Sequence, residues 1–268
     1  MRWTLYFLSY IIFVAQTNGN FEDPSPIVQL TNESYIKGEV KKNALNESSS
    51  YFAFHAIPYA EPPIGTLRFK KPIAYNQSYG NQTNPFDASN AFKQKLCPQL
   101  AQDNFIHKDS RDEDCLHLSV YSPKVSLSET DTLFPVVVWI HGGSFEHGSG
   151  MYPYHGPERF MKDEDIVMVS INYRLGLLGF MSLGNPELPG NTGLWDQMCA
   201  LTWVKNNIKA FGGNPDMVTL MGESAGSWSV MFQLLSPQSR DLFHRVIAQS
   251  GTPMSPSYHE YPEAKAKK

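Results

Sequence analysis

Four short apolar runs punctuate the second half of the chain: Val136-Val-Val-Trp-Ile140, Ile166-Val-Met-Val169, Val218-Thr-Leu-Met221 and Val246-Ile-Ala248. Each is too short for a buried helix and rich in β-branched residues, so each predicts a strand covered on both faces. Between the later runs the period changes. The stretch from Gly193 to Ala210 carries apolar residues at helical spacing and ends at Phe211-Gly212-Gly213, where a glycine suits the left-handed C-terminal cap. A second helical pattern, from about Ala225 to Leu235, is closed by Pro237. Strands alternating with helices predict an α/β architecture around a mostly parallel sheet. From about residue 25 to 95 the chain is instead turn-rich with short extended pieces, the pattern of an antiparallel section leading into that sheet.

No repeat and no low-complexity linker divides the chain, so residues 20–268 read as part of a single domain. A hydrophobic content of 41% over 268 residues can fill its core. The net charge of −4 arises from interspersed acids and bases, with no basic stripe to follow phosphates, which excludes nucleic acid as a partner. The N-terminus has one positive charge at Arg2, an apolar run from Leu5 to Val14, then small and polar residues up to Gly19. Residues 1–19 therefore read as a signal peptide of a secreted protein. The run of about ten residues falls short of the roughly 20 that span a bilayer, so no stable membrane anchor is expected. Export exposes Asn-x-Ser/Thr sequences to glycosylation, and four occur in loop-like sequence at Asn32, Asn46, Asn76 and Asn81. It also places the three cysteines in an oxidising compartment. Cys97 and Cys115 lie in polar sequence and Cys199 within a helical pattern, so a Cys97 to Cys115 bridge with Cys199 reduced is the economical assignment.

The strongest chemical signal is Gly222-Glu-Ser-Ala-Gly226, directly after one strand pattern and directly before a helix. That is the setting of a nucleophile elbow: the turn is so tight that the serine takes a strained conformation and its glycine neighbours have no room for side chains. Ser224 would then project at the sheet edge, with the amide of Ala225 and the positive end of the helix facing an oxyanion. Gly142 and Gly143, in His141-Gly-Gly-Ser-Phe145 after another strand, allow backbone N–H groups to turn inward and complete an oxyanion hole with Ser144.

At this point the residues resemble a family. Phe211-Gly-Gly-Asn-Pro-Asp-Met-Val-Thr-Leu-Met-Gly-Glu-Ser-Ala-Gly226 is similar to the serine signature of the type-B carboxylesterases and cholinesterases. Glu113-Asp-Cys-Leu-His-Leu-Ser-Val-Tyr121 is similar to their second signature, and Asn172-Tyr-Arg-Leu-Gly176 and Gln249-Ser-Gly251 look like further landmarks. The resemblance covers the chain from about residue 25 onward. It implies the α/β-hydrolase fold and hydrolysis of a small-molecule carboxylic ester, with neither metal nor organic cofactor. It makes Ser224 the nucleophile, the amides of Gly143, Ser144 and Ala225 the oxyanion hole, and Cys97 to Cys115 the first disulfide. It also pairs Arg68 with Glu113 and Arg174 with Asp196.

There are departures. Ser144 stands where the glycine string usually continues, and His117 replaces an aromatic residue or threonine. No tryptophan lies between Cys97 and Cys115, where acetylcholinesterases carry one for quaternary ammonium, so choline esters are disfavoured. Glu223 stands where juvenile hormone esterases carry glutamine, which favours a general carboxylesterase.

An activated serine needs a histidine base oriented by an acid, and in this fold both follow the serine. Only 44 residues follow Ser224, and neither His244 nor His259 among them has a suitably placed acid before it. His55, His107, His117, His141, His147 and His155 precede the serine and read as packing or surface residues. Pro262-Glu-Ala-Lys-Ala-Lys-Lys268 begins a helical pattern that stops within two turns, so the chain is expected to be an N-terminal portion lacking the acid and histidine and to be inactive alone. The competing reading is a secreted adhesion or binding protein of the same fold, as in neuroligin-like relatives; those generally lose the nucleophile that is present here.

Overall fold

The computed structural model describes residues 25–99, 110–125, 131–150, 156–163 and 165–252. The signal-like segment 1–19, His107, His155, His259 and the terminal helical pattern lie outside them.

Among the described residues, ten strands form two sheets. Strands β1 (Ile27–Gln29), β2 (Tyr35–Lys37) and β5 (Phe86–Asp87) make a small one. The main sheet contains β3 (Glu39–Asn43), β4 (Asn46–Pro58), β6 (His117–Ser122), β7 (Phe134–Ile140), β8 (Val167–Ile171), β9 (Gly213–Glu223) and β10 (Arg245–Gln249). Its order is β10-β9-β7-β8-β6-β4-β3. The pairs β10 with β9, β9 with β7 and β7 with β8 are parallel, while β8 with β6, β6 with β4 and β4 with β3 are antiparallel. The parallel half is where the sequence alternates strand and helix, and the antiparallel half is built by the turn-rich region. There the expected short pieces merge into the 13-residue β4, which stays in the sheet by bending at Ala56, a residue at φ 54° beside a register shift.

Period-2 alternation sorts side chains between two cores. Val136, Val138 and Ile140 of β7, with Val167, Val169 and Ile171 of β8, face a large core closed by α3 (Thr192–Asn207) through Leu201 and Val204. Trp139 and Met168 face the other side and pack on Met161 of α1 (Glu158–Asp163). Helix α3 passes into a 3₁₀ turn, Ile208–Phe211, capped by Gly212 at φ 84°, the expected glycine stop. Strand β10 departs from expectation: its burial is mostly exposed, because among the described residues it has a strand on one side only.

The order places β8 and β9 on opposite sides of β7. The chain therefore reverses direction across the sheet at the carboxyl end of β7, the kind of crevice where α/β sheets bind ligands.

Candidate active site

Strand β9 ends at Glu223 and α4 (Ala225–Leu235) begins at Ala225, leaving Ser224 alone to make the turn. It does so at φ 54°, ψ −121°, a conformation costing a side-chain-bearing residue about 1–3 kcal/mol. Surrounding contacts impose it. The Ser224 N–H donates to the Gln249 carbonyl at 2.9 Å, and the Ser224 carbonyl accepts from Trp228 N–H at 3.1 Å. A Cβ on Gly222 would lie 2.4 Å from the Gly226 carbonyl oxygen, and one on Gly226 would lie 2.1 Å from that of Ile140, so neither position admits a side chain.

The loop after β7 packs against this turn. A Cβ on Gly142 would meet the Glu223 carbonyl at 2.6 Å and the Ser224 Cβ at 3.2 Å. The next three residues all have positive φ: Gly143 at 104°, Ser144 at 56° and Phe145 at 61°. The Gly143 carbonyl accepts from Glu146 and His147 N–H groups, closing a tight turn, and among the described residues no acceptor lies on the amides of Gly143 and Ser144. A turn held open with unused N–H groups can receive a negatively charged oxygen.

The landmark Asn172-Tyr-Arg-Leu-Gly176 proves to be the support of this loop, a role its sequence did not disclose. Tyr173 O–H donates to the His141 carbonyl at 2.9 Å and its ring stacks on His141 at 4.5 Å. Gly176 N–H donates to the Phe145 carbonyl at 2.7 Å. Asn172 Oδ1 accepts from Ser149 Oγ and Gly150 N–H, both at 2.9 Å, while its Nδ2 donates to the Lys95 carbonyl. Gln99 brackets Gly148, donating to its carbonyl and accepting from its N–H, each at 2.9 Å. The signal available in the sequence was a polar Asn172 directly after a mostly apolar strand. Gln249-Ser-Gly251 is explained likewise: Gln249 receives the Ser224 amide, Ser250 sits at φ 61°, and a Cβ on Gly251 would meet Trp228 at 2.4 Å.

Arg174 grips Asp196 with Nε to Oδ2 at 2.7 Å and Nη2 to Oδ1 at 2.6 Å, as the resemblance implied. Burial pushes the Asp196 carboxyl above its ordinary range, and hydrogen bonds and charge from Arg174 pull it back. Beside it the Cys199 thiol is pushed up to about 12, by burial first and by Asp196 second. Arg68 forms the same fork with Glu113, at 2.6 and 2.7 Å. The disulfide Cys97–Cys115 is formed and Cys199 is not bridged.

The histidines separate by place. His244 Nδ1 accepts from Val218 N–H at 3.2 Å, midway along β9 and about 20 Å along the strand from Ser224. His55 contacts Glu39 at 3.0 Å, and His117 lies 3.8 Å from Asp114. His141 and His147 belong to the loop after β7, where Gly142 and the turn backbone engage them. None is hydrogen-bonded to Ser224. Three sequons gather around the small sheet: the hydroxyls of Ser34 and Ser78, third residues of the Asn32 and Asn76 sequons, lie 3.4 Å apart, and Asn81 heads the adjoining turn through Thr83. Asn46 sits at the β3–β4 connection, its Oδ1 accepting from Ser48 Oγ at 2.6 Å. Among the described residues no helix is long and apolar enough to cross a membrane, and no cluster of three or more acidic, histidine or cysteine side chains could hold a metal.

Residues 24–268 match the model of the carboxylesterase family. Cholinesterase of Mus musculus is 37% identical over 263 residues, covering 96% of this chain and 42% of that protein. Juvenile hormone esterase of Tribolium castaneum is 42% identical over 232 residues, covering 85% of this chain and 37% of that protein. A crystal structure of juvenile hormone esterase from Manduca sexta, with OTFP covalently attached, superposes with a TM-score of 0.75 at 35% identity over 85% of this chain and 41% of its own. The chain spans about two fifths of the length of the curated relatives it matches. Its architecture is that of the α/β-hydrolases, and with a family match over nearly all of its length the chain belongs to the carboxylesterase family.

Proposed function

We propose that this chain carries the nucleophile and oxyanion hole of a serine carboxylic-ester hydrolase. One observation carries the reading: Ser224 is held at φ 54° between two glycines without room for side chains, and the Gly142 loop lies against its Cβ. Ser224 Oγ loses its proton to a base and bonds to the acyl carbon. The resulting oxyanion is received by the N–H groups of Gly143, Ser144 and Ala225, with Gly142 allowing the close approach. Collapse breaks the bond to the alcohol, which leaves with the proton. Water then cleaves the acyl-enzyme to release the acid and free Ser224. The covalently attached molecule in the Manduca sexta relative supports covalent chemistry on this fold. Removal of residues 1–19 on export and glycans at Asn32, Asn46, Asn76 and Asn81 complete the reading, and an endoglycosidase mobility shift from secreting cells tests both.

The base and its acid belong, in this reading, to sequence beyond residue 268, because His244 stands beside Val218 in the middle of β9, about 20 Å along the strand from Ser224. The longest natural chain containing these residues is expected to hydrolyse a short p-nitrophenyl ester. Residues 20–268 alone should be slower by a factor on the order of 10⁶, the cost of losing a triad that acts as a unit. Robust turnover by residues 20–268 that vanishes in Ser224→Ala would show that a histidine within them serves as base.

A further inference from the structure

Three turns with non-glycine residues at positive φ meet around one residue. They are the elbow at Ser224 (φ 54°), the loop after β7 at Phe145 (φ 61°) and the turn after β10 at Ser250 (φ 61°). Trp228, half-buried one turn into α4, touches all three. Its backbone N–H donates to the Ser224 carbonyl at 3.1 Å, and its indole meets the other two turns. Its indole lies so close to Gly251 that a Cβ there would be 2.4 Å from Cδ1 and 2.5 Å from Nε1. Its ring stands 6.3 Å from that of Phe145, which also packs at 4.8 Å against Phe180 of α2 (Gly176–Phe180). Phe145 thus contacts an aromatic ring from α2 and one from α4, and its carbonyl is tied to Gly176 N–H. Ser227 Oγ, beside Trp228, donates to the Gly251 carbonyl at 2.7 Å and closes the third turn onto the same helix.

Backbone in sparsely populated regions persists only where its surroundings over-determine it. The Gly143 carbonyl, in the same peptide plane as the Ser144 N–H, is tied to the Glu146 and His147 N–H groups, so the turn is held together as one unit; against the rest of the fold that unit is held at the Phe145 carbonyl, by Gly176 N–H, and at the Phe145 ring. We infer that Trp228 is a positioning residue: through the Phe145 ring it aims the Gly143 and Ser144 N–H groups relative to Ser224. This rests on the hydrolase reading above. The ring acts through the loop and touches no reacting atom, so its loss should affect the transition state, where the oxyanion exists, more than ground-state binding.

The test uses the longest natural chain containing these residues. In Trp228→Ala, kcat for a p-nitrophenyl ester is expected to fall about 10²-fold, the scale of a misaimed oxyanion donor, with KM nearly unchanged. Amide hydrogen exchange in the 142–147 segment should quicken in the same variant. Trp228→Phe, which keeps a ring against Phe145, should recover most of both effects. Should the alanine variant fail to fold, Trp228→Leu keeps apolar volume without the ring and should show the same kcat loss. Unchanged kcat and exchange would overturn the inference, as would a raised KM at constant kcat, which would make Trp228 a wall of the substrate site instead. A wild-type protein without turnover would sink the hydrolase reading and leave the exchange measurement to decide the role of Trp228.

Discussion

The two arginine–carboxylate forks share their hydrogen-bond pattern and lengths to within 0.1 Å and differ in surroundings. The Arg174 and Asp196 side chains are 3% and 0% exposed, and those of Arg68 and Glu113 are 42% and 26% exposed. At the surface, water solvates both partners almost as well as they solvate each other, and such pairs contribute little. In the interior each partner has lost its water, so the pair offsets a desolvation cost that neither could bear alone. Arg174 Nη2 also donates to the Lys70 carbonyl, and Asp196 also accepts the Arg174 N–H. The buried fork thereby fixes the segment whose Tyr173 and Gly176 hold the loop beside Ser224. Closely similar bond lengths therefore say nothing about importance until burial is known.

Breaking the buried fork should give the largest effect. Asp196→Asn leaves the Arg174 charge buried and half-paired, and urea unfolding should show a loss of about 3–5 kcal/mol. A loss under about 1 kcal/mol would mean that water reaches the pair. Next comes Cys199, half-buried beside Asp196: at pH 8 a pKa of about 12 leaves roughly one part in 10⁴ as thiolate, so iodoacetamide should label it far more slowly in the folded than in the unfolded protein. Rapid labelling of the folded protein would contradict the burial. Smaller still is the response of His117, near the exposed fork. Burial lowers its pKa from the ordinary 6.5, against the opposing pull of Asp114 and Asp112. The folded state then prefers neutral imidazole while the unfolded chain takes up a proton, so stability should decline as pH falls below 6.5 towards the folded pKa. Replacing His117 by Gln should flatten that part of the Tm profile; an unaltered slope would reassign it to other groups. The smallest effect is expected at the surface fork, where Glu113→Gln should leave Tm within the width of repeat scans. A clear drop there would erase the contrast between the two pairs.

Much of this architecture was legible because it depends on local rules. The apolar runs at 136, 166, 218 and 246 became β7 to β10, the Gly212 stop ended the helix, and Gly222 and Gly226 stand where no Cβ fits. What was not legible depends on long-range closure. The length of β4 follows from a bulge at Ala56 that no turn residue announces. The exposure of β10 depends on what lies beyond it in the sheet, which an apolar triplet cannot state. Ser144 and Phe145 carry positive φ with no glycine to signal it, because Phe180 and Trp228 hold the loop from outside. Asn172 and Gln99 support the loop through partners far from them in sequence, which local pattern does not show.

The central claim is that the strain at Ser224 serves a nucleophile. It is tested most directly by treating the longest natural chain containing these residues with diisopropyl fluorophosphate and mapping the adduct by peptide mass spectrometry. The account predicts one diisopropylphosphoryl group on the peptide containing Ser224, formed in step with loss of esterase activity and absent from Ser224→Ala. A folded protein that hydrolyses esters yet carries its adduct on another residue, or that carries none, would contradict it.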